Sequence, residues 1–278
     1  MWSVNAQMSS VAKSLELLDY FSTVRPEIGL SHLSRLARRD KATTYRHLQA
    51  LEVTGFVEQN PQSKQYRLGP TVLQLAQTRE ITVPRKSGAE AALSTLAEIT
   101  GETSHVSVLS GKTLYALTSC ASPKHSTRVI IDIASFPLHA TASGLCALAF
   151  GPSELEVAAM ADLKAFTPKT ITTPGDLTRA VETIRKTGFG QSDFGFEEDV
   201  QSLAAPLFDQ TGLFAGAVAV ACVATRFSPE LEARIRGALA VASRDISRNW
   251  GGKVPDAIEV VWAETLAQSP DRSPDHES

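Results

Sequence analysis

Apolar residues near the start of the chain recur at helical spacing. Val11, Leu15, Leu18 and Phe21 are separated by three or four residues, which predicts a helix with one buried face. Ser9 or Ser10 is placed to cap this helix. A short second helix is predicted from about residue 31, after the break at RPEIG. The chain therefore starts with two short amphipathic helices.

The third helical stretch is KATTYRHLQAL, residues 41–51. At 100° per residue, Thr44, Leu48 and Leu51 fall within a narrow arc, and we predict that this arc is buried. Asp40 is a suitable N-cap, and Gly55 is a suitable stop. The opposite face carries hydrogen-bonding side chains and almost no acid.

Two short strand-like segments follow Gly55 and flank the polar turn QNPQSKQ. This pattern predicts a β-hairpin. Three helices followed by a hairpin, or wing, is the element order of a winged helix-turn-helix, which we assign to residues 9–69. The charge supports this interpretation weakly, because residues 1–70 hold nine Lys and Arg against six Asp and Glu, whereas the remainder holds eighteen against twenty-four.

A helix of this kind fits the major groove of duplex DNA. Basic residues would contact phosphates, and side chains such as Arg46 and Gln49 would read guanine and adenine. A solvated helix face is the alternative, but the wing and the flanking helices favour DNA. The predicted DNA-binding residues are Arg38, Arg39, Lys41, Ala42, Thr43, Thr44, Tyr45, Arg46, Gln49, Lys64 and Arg67.

The remaining chain mixes helical and strand-like patterns. Residues 70–87 predict a linker helix interrupted by Pro84, and residues 88–250 predict an α+β domain with a mostly antiparallel sheet. The run TRVIIDIA, residues 127–134, is one of the predicted strands. The polar, Pro-rich stretch near the end leads us to expect a mostly disordered tail over residues 251–278.

Composition excludes several classes of protein. Hydrophobic residues make up 43% of the chain and charged residues 21%, which is typical of a globular protein. No apolar run is long enough for a membrane span, and the N-terminus does not resemble a signal peptide. The three cysteines are far apart and match no zinc motif. We expect a cytoplasmic protein without a membrane partner, bound metal or cofactor.

Several motifs in order resemble one known family. They are SLELLDYFSTVRPEIGLSHLSRLAR, KATTYRHLQALEVTGFVEQNPQSKQYRLG, TGETSHVSVLSG, PLHATASGLCALAF, TPKTITTPGDL, AAPLFDQTG and RFSPE. From about residue 9 to residue 250, the chain is similar to the IclR family of bacterial transcription regulators. The resemblance implies a winged helix-turn-helix, a linker helix and a C-terminal effector-binding domain related to the GAF fold. It also implies homodimers that often pair into tetramers, and control of catabolic or metabolic genes.

The resemblance also implies an effector pocket in the second domain. TASG can start a helix whose N–H groups suit a carboxylate. Alanines stand at two wall positions where family members that bind small polar acids tend to have hydroxyl side chains. We therefore expect a carboxylic acid with an apolar or aromatic body. The implied effector-binding residues are Ala142, Ser143, Ser192, Asp193, Ser202, Ala219 and Ala221.

Three histidines, His105, His125 and His139, raise the question of a catalytic or metal site. Their spacing matches no metal motif, so we interpret them as ordinary hydrogen-bonding residues. Assistance to a bound anion is the alternative role for His139, which lies next to TASG. Neither a nucleophile elbow nor a phosphate loop is present, so an enzyme built on the second domain is the weaker alternative and we predict no catalytic residues.

The turn between the second and third helices departs from the family pattern, which usually carries about three more residues there. We predict a tight turn over residues 37–39 and a third helix that keeps its place, because Leu48 and Leu51 still need a core. A regulator with impaired DNA binding that acts through protein partners is the alternative.

Overall fold

The computed structural model describes residues 9–22 and 25–268. The chain divides between Val83 and Pro84 into two compact units. Each unit has its own hydrophobic core and is considered by itself.

The first unit begins with helix α1, Ser10–Leu15, which continues as a 3₁₀ turn over Glu16–Tyr20. The Ser9 hydroxyl accepts a hydrogen bond from the backbone N–H of Ala12, which confirms a serine cap. The predicted buried face is wrong in its first half, because Val11 and Leu15 are 68% and 44% exposed while Leu17 is buried. A 3₁₀ turn has three residues per turn rather than 3.6, so the change at Glu16 rotates Leu17 into the core.

Helix α2, Leu30–Leu36, is joined to helix α3, Lys41–Val53, by a closed turn. The N–H of Arg38 donates to Arg35 O at 3.2 Å and that of Arg39 to Ser34 O at 3.0 Å. This is the hydrogen-bond pattern of a Schellman motif, with Arg38 in the left-handed position at φ +50°. The tight turn predicted over residues 37–39 is confirmed.

Helix α3 has the cap and the buried arc that its sequence predicts. The Asp40 carboxylate accepts from the backbone N–H of Thr43 at 2.8 Å, which lowers the pKa of Asp40. Thr44, Leu48 and Leu51 are buried. The helix therefore keeps its place against the core of the unit.

The wing consists of strands β1, Val57–Gln59, and β2, Tyr66–Leu68, which pair antiparallel. An isolated bridge joins Ile28 to Tyr66, and both side chains are buried. The predicted order of three helices and a hairpin is confirmed. Helix α4, Pro70–Thr82, follows, and none of its thirteen residues, all of them described, is buried.

Within its described residues, the second unit contains a five-stranded antiparallel sheet in the order β4-β3-β7-β6-β5. The strands and helices are α5 Ser87–Thr100, β3 Thr103–Ser110, β4 Thr113–Cys120, α6 Ala142–Phe150, α7 Glu154–Met160, α8 Pro174–Thr187, β5 Gly190–Asp193, β6 Val200–Phe208, β7 Phe214–Val223, α9 Pro229–Asn249 and α10 Asp256–Ala267.

Successive side chains of each strand point to opposite faces of the sheet, and a hydrophobic core lies on each face. Leu203, Val218 and Val220 share a cluster with residues of α5 and α9. Ala204 and Ala217 share another with residues of α6 to α8. The predicted α+β domain is confirmed as a sheet between two helical layers.

Residues 127–134 are not the predicted strand. This segment is irregular, and its end is tied to β4 by a bridge from Ser135 to Tyr115, with hydrogen bonds from Ala116 N–H to Ala134 O and from Phe136 N–H to Leu114 O. Its apolar residues Val129, Ile131 and Ile133 line a cavity instead. The alternating apolar residues of this segment therefore form a cavity wall and not one face of a sheet strand.

The expected disordered tail is wrong for residues 256–267, which form α10. Ile258, Trp262 and Leu266 recur every four residues and pack on the core of the α5–α9 face, where Trp262 is fully buried. This burial offsets the entropy cost of ordering the segment. Residues 269–278 of the predicted tail lie outside the described residues.

Candidate DNA-contacting surface and ligand cavity

The exposed face of α3 presents side chains that are held by their neighbours. Gln49 Nε2 donates to the Tyr45 hydroxyl at 3.1 Å, and Arg46 Nη2 donates to Thr43 Oγ1 at 3.3 Å. Ala42 is exposed on the same helix. Five of the predicted DNA-contacting residues therefore share an accessible surface.

Two predicted contacts are instead structural. Thr44 is fully buried, and its hydroxyl donates to Asp40 O at 2.9 Å. The Arg39 guanidinium donates to Lys13 O at 2.6 Å and forms an ion pair with Glu16. The Arg39 side chain is only 15% exposed, so it ties the turn to α1 and has little surface left for a phosphate.

The wing keeps its two predicted cations at the surface. Lys64 is exposed in a left-handed conformation, with φ +57°. Arg67 is half-exposed and paired with Glu58 at 2.6 Å and Glu27 at 3.6 Å. To contact a DNA phosphate, Arg67 must therefore break an ion pair with Glu58 or Glu27, or keep that pair while it also binds the phosphate.

Glu27 organises the tip of the wing. Its carboxylate accepts from Asn60 Nδ2 at 3.0 Å and from Ser63 Oγ at 3.1 Å. The hydrogen bond from Asn60 is the largest cause that lowers the pKa of Glu27. Asn60 Oδ1 also accepts from the backbone N–H of Gln62 at 2.9 Å, which closes the turn.

Sequence reasoning missed two residues beside this surface. His32 and Arg35 on α2 line a concave surface together with Lys41 and Lys64. With Leu33 buried, residues 32 and 35 fall on the outer side of α2, so helical periodicity could have identified them. Three cations, Arg35, Lys41 and Lys64, and one acid, Glu27, line this concave surface, so its net charge from α2 to the wing is positive.

The second unit contains a cavity of about 540 Å³, including its opening to solvent. The start of α6 and one face of the sheet form its polar end, while the irregular segment before α6 supplies apolar walls. The lining residues are His105, Val129, Ile130, Ile131, Asp132, Ile133, Phe136, Ala140, Thr141, Ala142, Ser143, Ser192, Phe196, Glu197, Val200, Ser202 and Ala221.

The polar end is built around the first turn of α6. Thr141 caps the helix, since its hydroxyl accepts from the N–H of Gly144 at 3.0 Å and donates to Pro137 O at 3.0 Å. A Cβ at Gly144 would lie 2.4 Å from Pro137 O, so only glycine permits this close approach. The first N–H groups of a helix lack intrahelical acceptors and carry the positive end of its dipole.

Strand register gathers three of the predicted effector residues. Ser192 on β5 pairs with Ser202 on β6, which pairs with Ala221 on β7. The Ser192 hydroxyl donates to Ala140 O at 2.7 Å and so ties β5 to the segment before α6. Together with Ala142 and Ser143, these residues line one cavity.

Two of the predicted effector residues do not line the cavity. Ala219 is fully buried in the cluster that contains Ala142, Leu145 and Cys146, so it packs beneath α6. Asp193 is exposed, and its carboxylate accepts from Gln201 Nε2 at 3.0 Å. The predicted pair of wall alanines is therefore reduced to Ala221.

His105 is the cavity residue that sequence reasoning failed to place. Its Nε2 lies 3.2 Å from Ser143 Oγ, and its ring stacks on Phe136 with centroids 4.8 Å apart. Burial lowers the pKa of His105 to about 4, so it is neutral at pH 7. Sequence alone offers no signal for this position, because its strand partner on β7, Ala219, is covered by α6.

The other two histidines have ordinary surroundings. His139 Nε2 bonds to Lys164 O at 2.9 Å, and His125 Nε2 lies 3.8 Å from Glu102 Oε1. Among the residues the structure describes, no group of three or more His, Cys, Asp or Glu could hold a metal ion. No helix in the described part of the chain is long and apolar enough to cross a membrane.

Comparison with family models decides the identity of both units. The model of the IclR helix-turn-helix domain matches residues 10–61, and that of the bacterial transcriptional regulator IclR C-terminal domain matches residues 84–248. The chain belongs to the IclR family of transcriptional regulators. Its first unit is the family's DNA-binding helix-turn-helix domain.

Curated IclR-family relatives align along most of their length. The glycerol operon regulatory protein of Streptomyces coelicolor is 29% identical over 245 residues, which cover 86% of this chain and 96% of that protein. The transcriptional regulator KdgR of Escherichia coli is 28% identical over 247 residues, covering 88% and 93%. These relatives are regulators rather than enzymes by name.

Solved IclR-family structures share the fold. A regulator from Silicibacter sp. TM1040 has a TM-score of 0.85 and 41% identity, covering 90% of this chain and 99% of that one. An IclR homologue from Microbacterium hydrocarbonoxydans, crystallised with 4-hydroxybenzoate, has a TM-score of 0.69 and 20% identity, covering 86% and 100%.

Proposed function

We propose that this regulator binds operator DNA through α3 and the wing, and that a small carboxylic acid with an apolar or aromatic body controls this binding from the cavity. The cavity is the observation that carries the proposal. Its walls are apolar, whereas the start of α6 and three serines form one polar end. An aromatic acid matches this division, with its ring on the walls and its carboxylate at the helix terminus.

On the DNA side, Arg46, Gln49, Ala42 and the Thr43 methyl group would meet base edges. Exposed cations on both sides of α3 would contact phosphates and set the register on the duplex. The phosphate-contacting set comprises Arg35, Arg38, Lys41, Lys64 and Arg67.

Fluorescence anisotropy on the upstream region of the protein's own gene tests DNA binding. Arg46→Ala should weaken specific binding by about 1–3 kcal/mol, roughly 5- to 150-fold. Lys64→Ala should weaken binding to all sequences and lower the salt slope by about one. Lys112→Ala, which removes an exposed cation from the β3–β4 turn of the other unit, is the control. Equal affinities of the native and Arg46→Ala proteins would reject the proposed interface.

Thermal-shift measurements test the effector class. 4-Hydroxybenzoate is a first probe because an IclR homologue was crystallised with it. Benzoate and phenylacetate belong in the same panel, with glyoxylate and pyruvate as small polar acids. We expect an aromatic acid to raise the melting temperature. A shift with glyoxylate or pyruvate alone would contradict an aromatic effector, and Ser143→Ala should reduce any true shift.

We also propose that the protein is a homodimer or a dimer of dimers. Helix α4 supports an assembly, because Leu73, Leu75 and Ile81 are 62%, 51% and 81% exposed although they are apolar. Light scattering of the native protein and of Ile81→Glu tests this. A monomeric native protein at micromolar concentration would contradict it.

We propose that the second unit binds its ligand without converting it, and that the protein acts in the cytoplasm, where bacterial operators lie. Each acid that raises the melting temperature should be recovered unchanged after incubation with the protein. Turnover of any of these acids would instead favour an enzyme.

A further inference from the structure

His105 lies in the effector cavity and carries one nitrogen without a partner. Its Nε2 is 3.2 Å from Ser143 Oγ, whereas its Nδ1 is buried and has no hydrogen-bond partner among the described residues. Buried polar atoms are nearly always hydrogen-bonded, so such an exception calls for an explanation. A ligand carboxylate that accepts a hydrogen bond from a protonated Nδ1 would supply one.

The surroundings of His105 keep it neutral in the free protein. Its ring is stacked on Phe136, and its strand partners in register are Ser119 on β4 and Ala219 on β7. Helix α6 contributes the uncharged Ser143. Burial alone lowers the pKa of His105 to about 4.

The other titratable groups of the cavity are acidic. Asp132 lies in the segment before α6, and Glu197 lies in the connection between β5 and β6. Burial is the larger cause that raises the pKa of Glu197, and the negative charge of Asp199 raises it further. Among the described residues that line the cavity, none is Lys or Arg. A carboxylate that enters this cavity therefore meets no fixed cation on its walls.

The start of α6 compensates only part of the ligand's charge, since a helix terminus is equivalent to about half an elementary charge. A carboxylate within a few ångströms of an imidazole stabilises the protonated ring. We propose that His105 takes up a proton from solvent when a carboxylate binds, so that ligand and imidazolium form an ion pair beside Ser143. The imidazole gains one N–H bond with a proton from solvent, no other covalent bond changes, and one proton enters with each ligand. This inference rests on the proposed effector class.

The proposal predicts pH-dependent affinity of a definite sign. His105 is uncharged in the free protein above about pH 5, because its pKa there is about 4. Carboxylic acids of this kind are already ionised at that pH. Below the imidazole pKa of the complex, lowering the pH should therefore tighten binding, by up to tenfold per pH unit, until the pH approaches the imidazole pKa of the free protein, about 4.

Isothermal titration of the full chain with 4-hydroxybenzoate, in phosphate and in Tris at pH 7, counts the protons taken up. We expect an uptake that approaches one per ligand. His105→Gln should abolish the uptake and flatten the pH profile, while His125→Gln, the same change at a histidine that does not line the cavity, should retain both. Uptake that persists in His105→Gln would place the proton elsewhere and overturn the proposal.

A spectroscopic measurement on the native protein removes the dependence on a variant that may fold poorly. ¹⁵N-histidine labelling should show one of the six imidazoles becoming protonated when 4-hydroxybenzoate is added at pH 7. Binding without a new imidazolium overturns this inference alone. If no acid of the panel raises the melting temperature, the proposed effector class fails and this inference fails with it.

Discussion

Trp262 on α10 is the largest fully buried side chain among the described residues. The side chain is fully buried, and its Nε1 donates to Gly188 O at 2.8 Å. Its ring stacks on Phe189, with centroids 5.6 Å apart, and the Arg244 guanidinium lies 5.5 Å from the ring centroid. Trp262→Ala would remove all of these contacts at once.

The expected loss in the free energy of unfolding of Trp262→Ala follows from these contacts. Replacing a buried aromatic residue by alanine costs about 3–5 kcal/mol. The lost hydrogen bond leaves Gly188 O unpaired and adds about 1 kcal/mol, and the lost cation–π contact adds about 0.5–1 kcal/mol. Because these terms overlap, we expect a loss of about 4–5 kcal/mol. For a unit of this size, that lowers the melting temperature by roughly 10–15 °C.

Differential scanning calorimetry of the full chain measures this loss in the transition of the second unit. Trp262→Phe keeps most of the ring contact and loses the N–H, so it should cost about 1–2 kcal/mol. Val260→Ala, at a position that is 57% exposed on the same helix, should change stability by less than about 0.5 kcal/mol. A loss below about 1 kcal/mol for Trp262→Ala would refute the docking of α10.

Three further predictions concern single sites. Arg38→Gly should stabilise the first unit by about 0.5–1 kcal/mol in urea unfolding, because glycine adopts φ +50° without strain; Arg38→Ala should not. Arg226→Ala should cost about 3–5 kcal/mol, since it leaves the Glu102 side chain, 1% exposed, without its bidentate partner at 2.6 and 2.7 Å. Glu102→Ala should cost less in the same assay, because Arg226 is 23% exposed; equal losses would contradict this reasoning. Ser192→Ala should weaken binding of 4-hydroxybenzoate and lower the melting temperature, because Ala140 O loses its donor.

The parts of the fold that the sequence predicts well depend on local rules, meaning helix capping and the spacing of apolar residues a few positions apart. Asp40, Leu48 and Leu51 fix α3, because a cap and a buried stripe depend only on residues a few positions apart. Local rules fail at residues 16–20, where a 3₁₀ turn changes which leucine is buried. They also missed α10, although Ile258 and Trp262 already have helical spacing; the polar composition of the last residues outweighed that signal.

The cavity depends on contacts between distant parts of the chain, which spacing alone does not reveal. Ala219 and Ala221 lie on the same face of β7, and only the position of α6 decides that the first is covered and the second faces the cavity. His105 reaches Ser143 across 38 positions of sequence. The sequence predicts a strand at 127–134, and only the three-dimensional structure shows that the apolar residues of this run form a cavity wall.

The first turn of α6 cannot move independently of β5. A Cβ at Gly190 would lie 2.3 Å from Ala142 O, so the strand and the helix approach as closely as their backbones allow. The Ser192 hydroxyl adds a bond to Ala140 O, and Phe189, just before β5, stacks on Trp262 of α10. A ligand changes a conformation only by binding one arrangement more tightly than another. An acid that shifts the start of α6 must therefore also shift β5 and, with it, disturb the contact between Phe189 and Trp262 of α10. Damage at Trp262 should accordingly alter ligand affinity as well as stability.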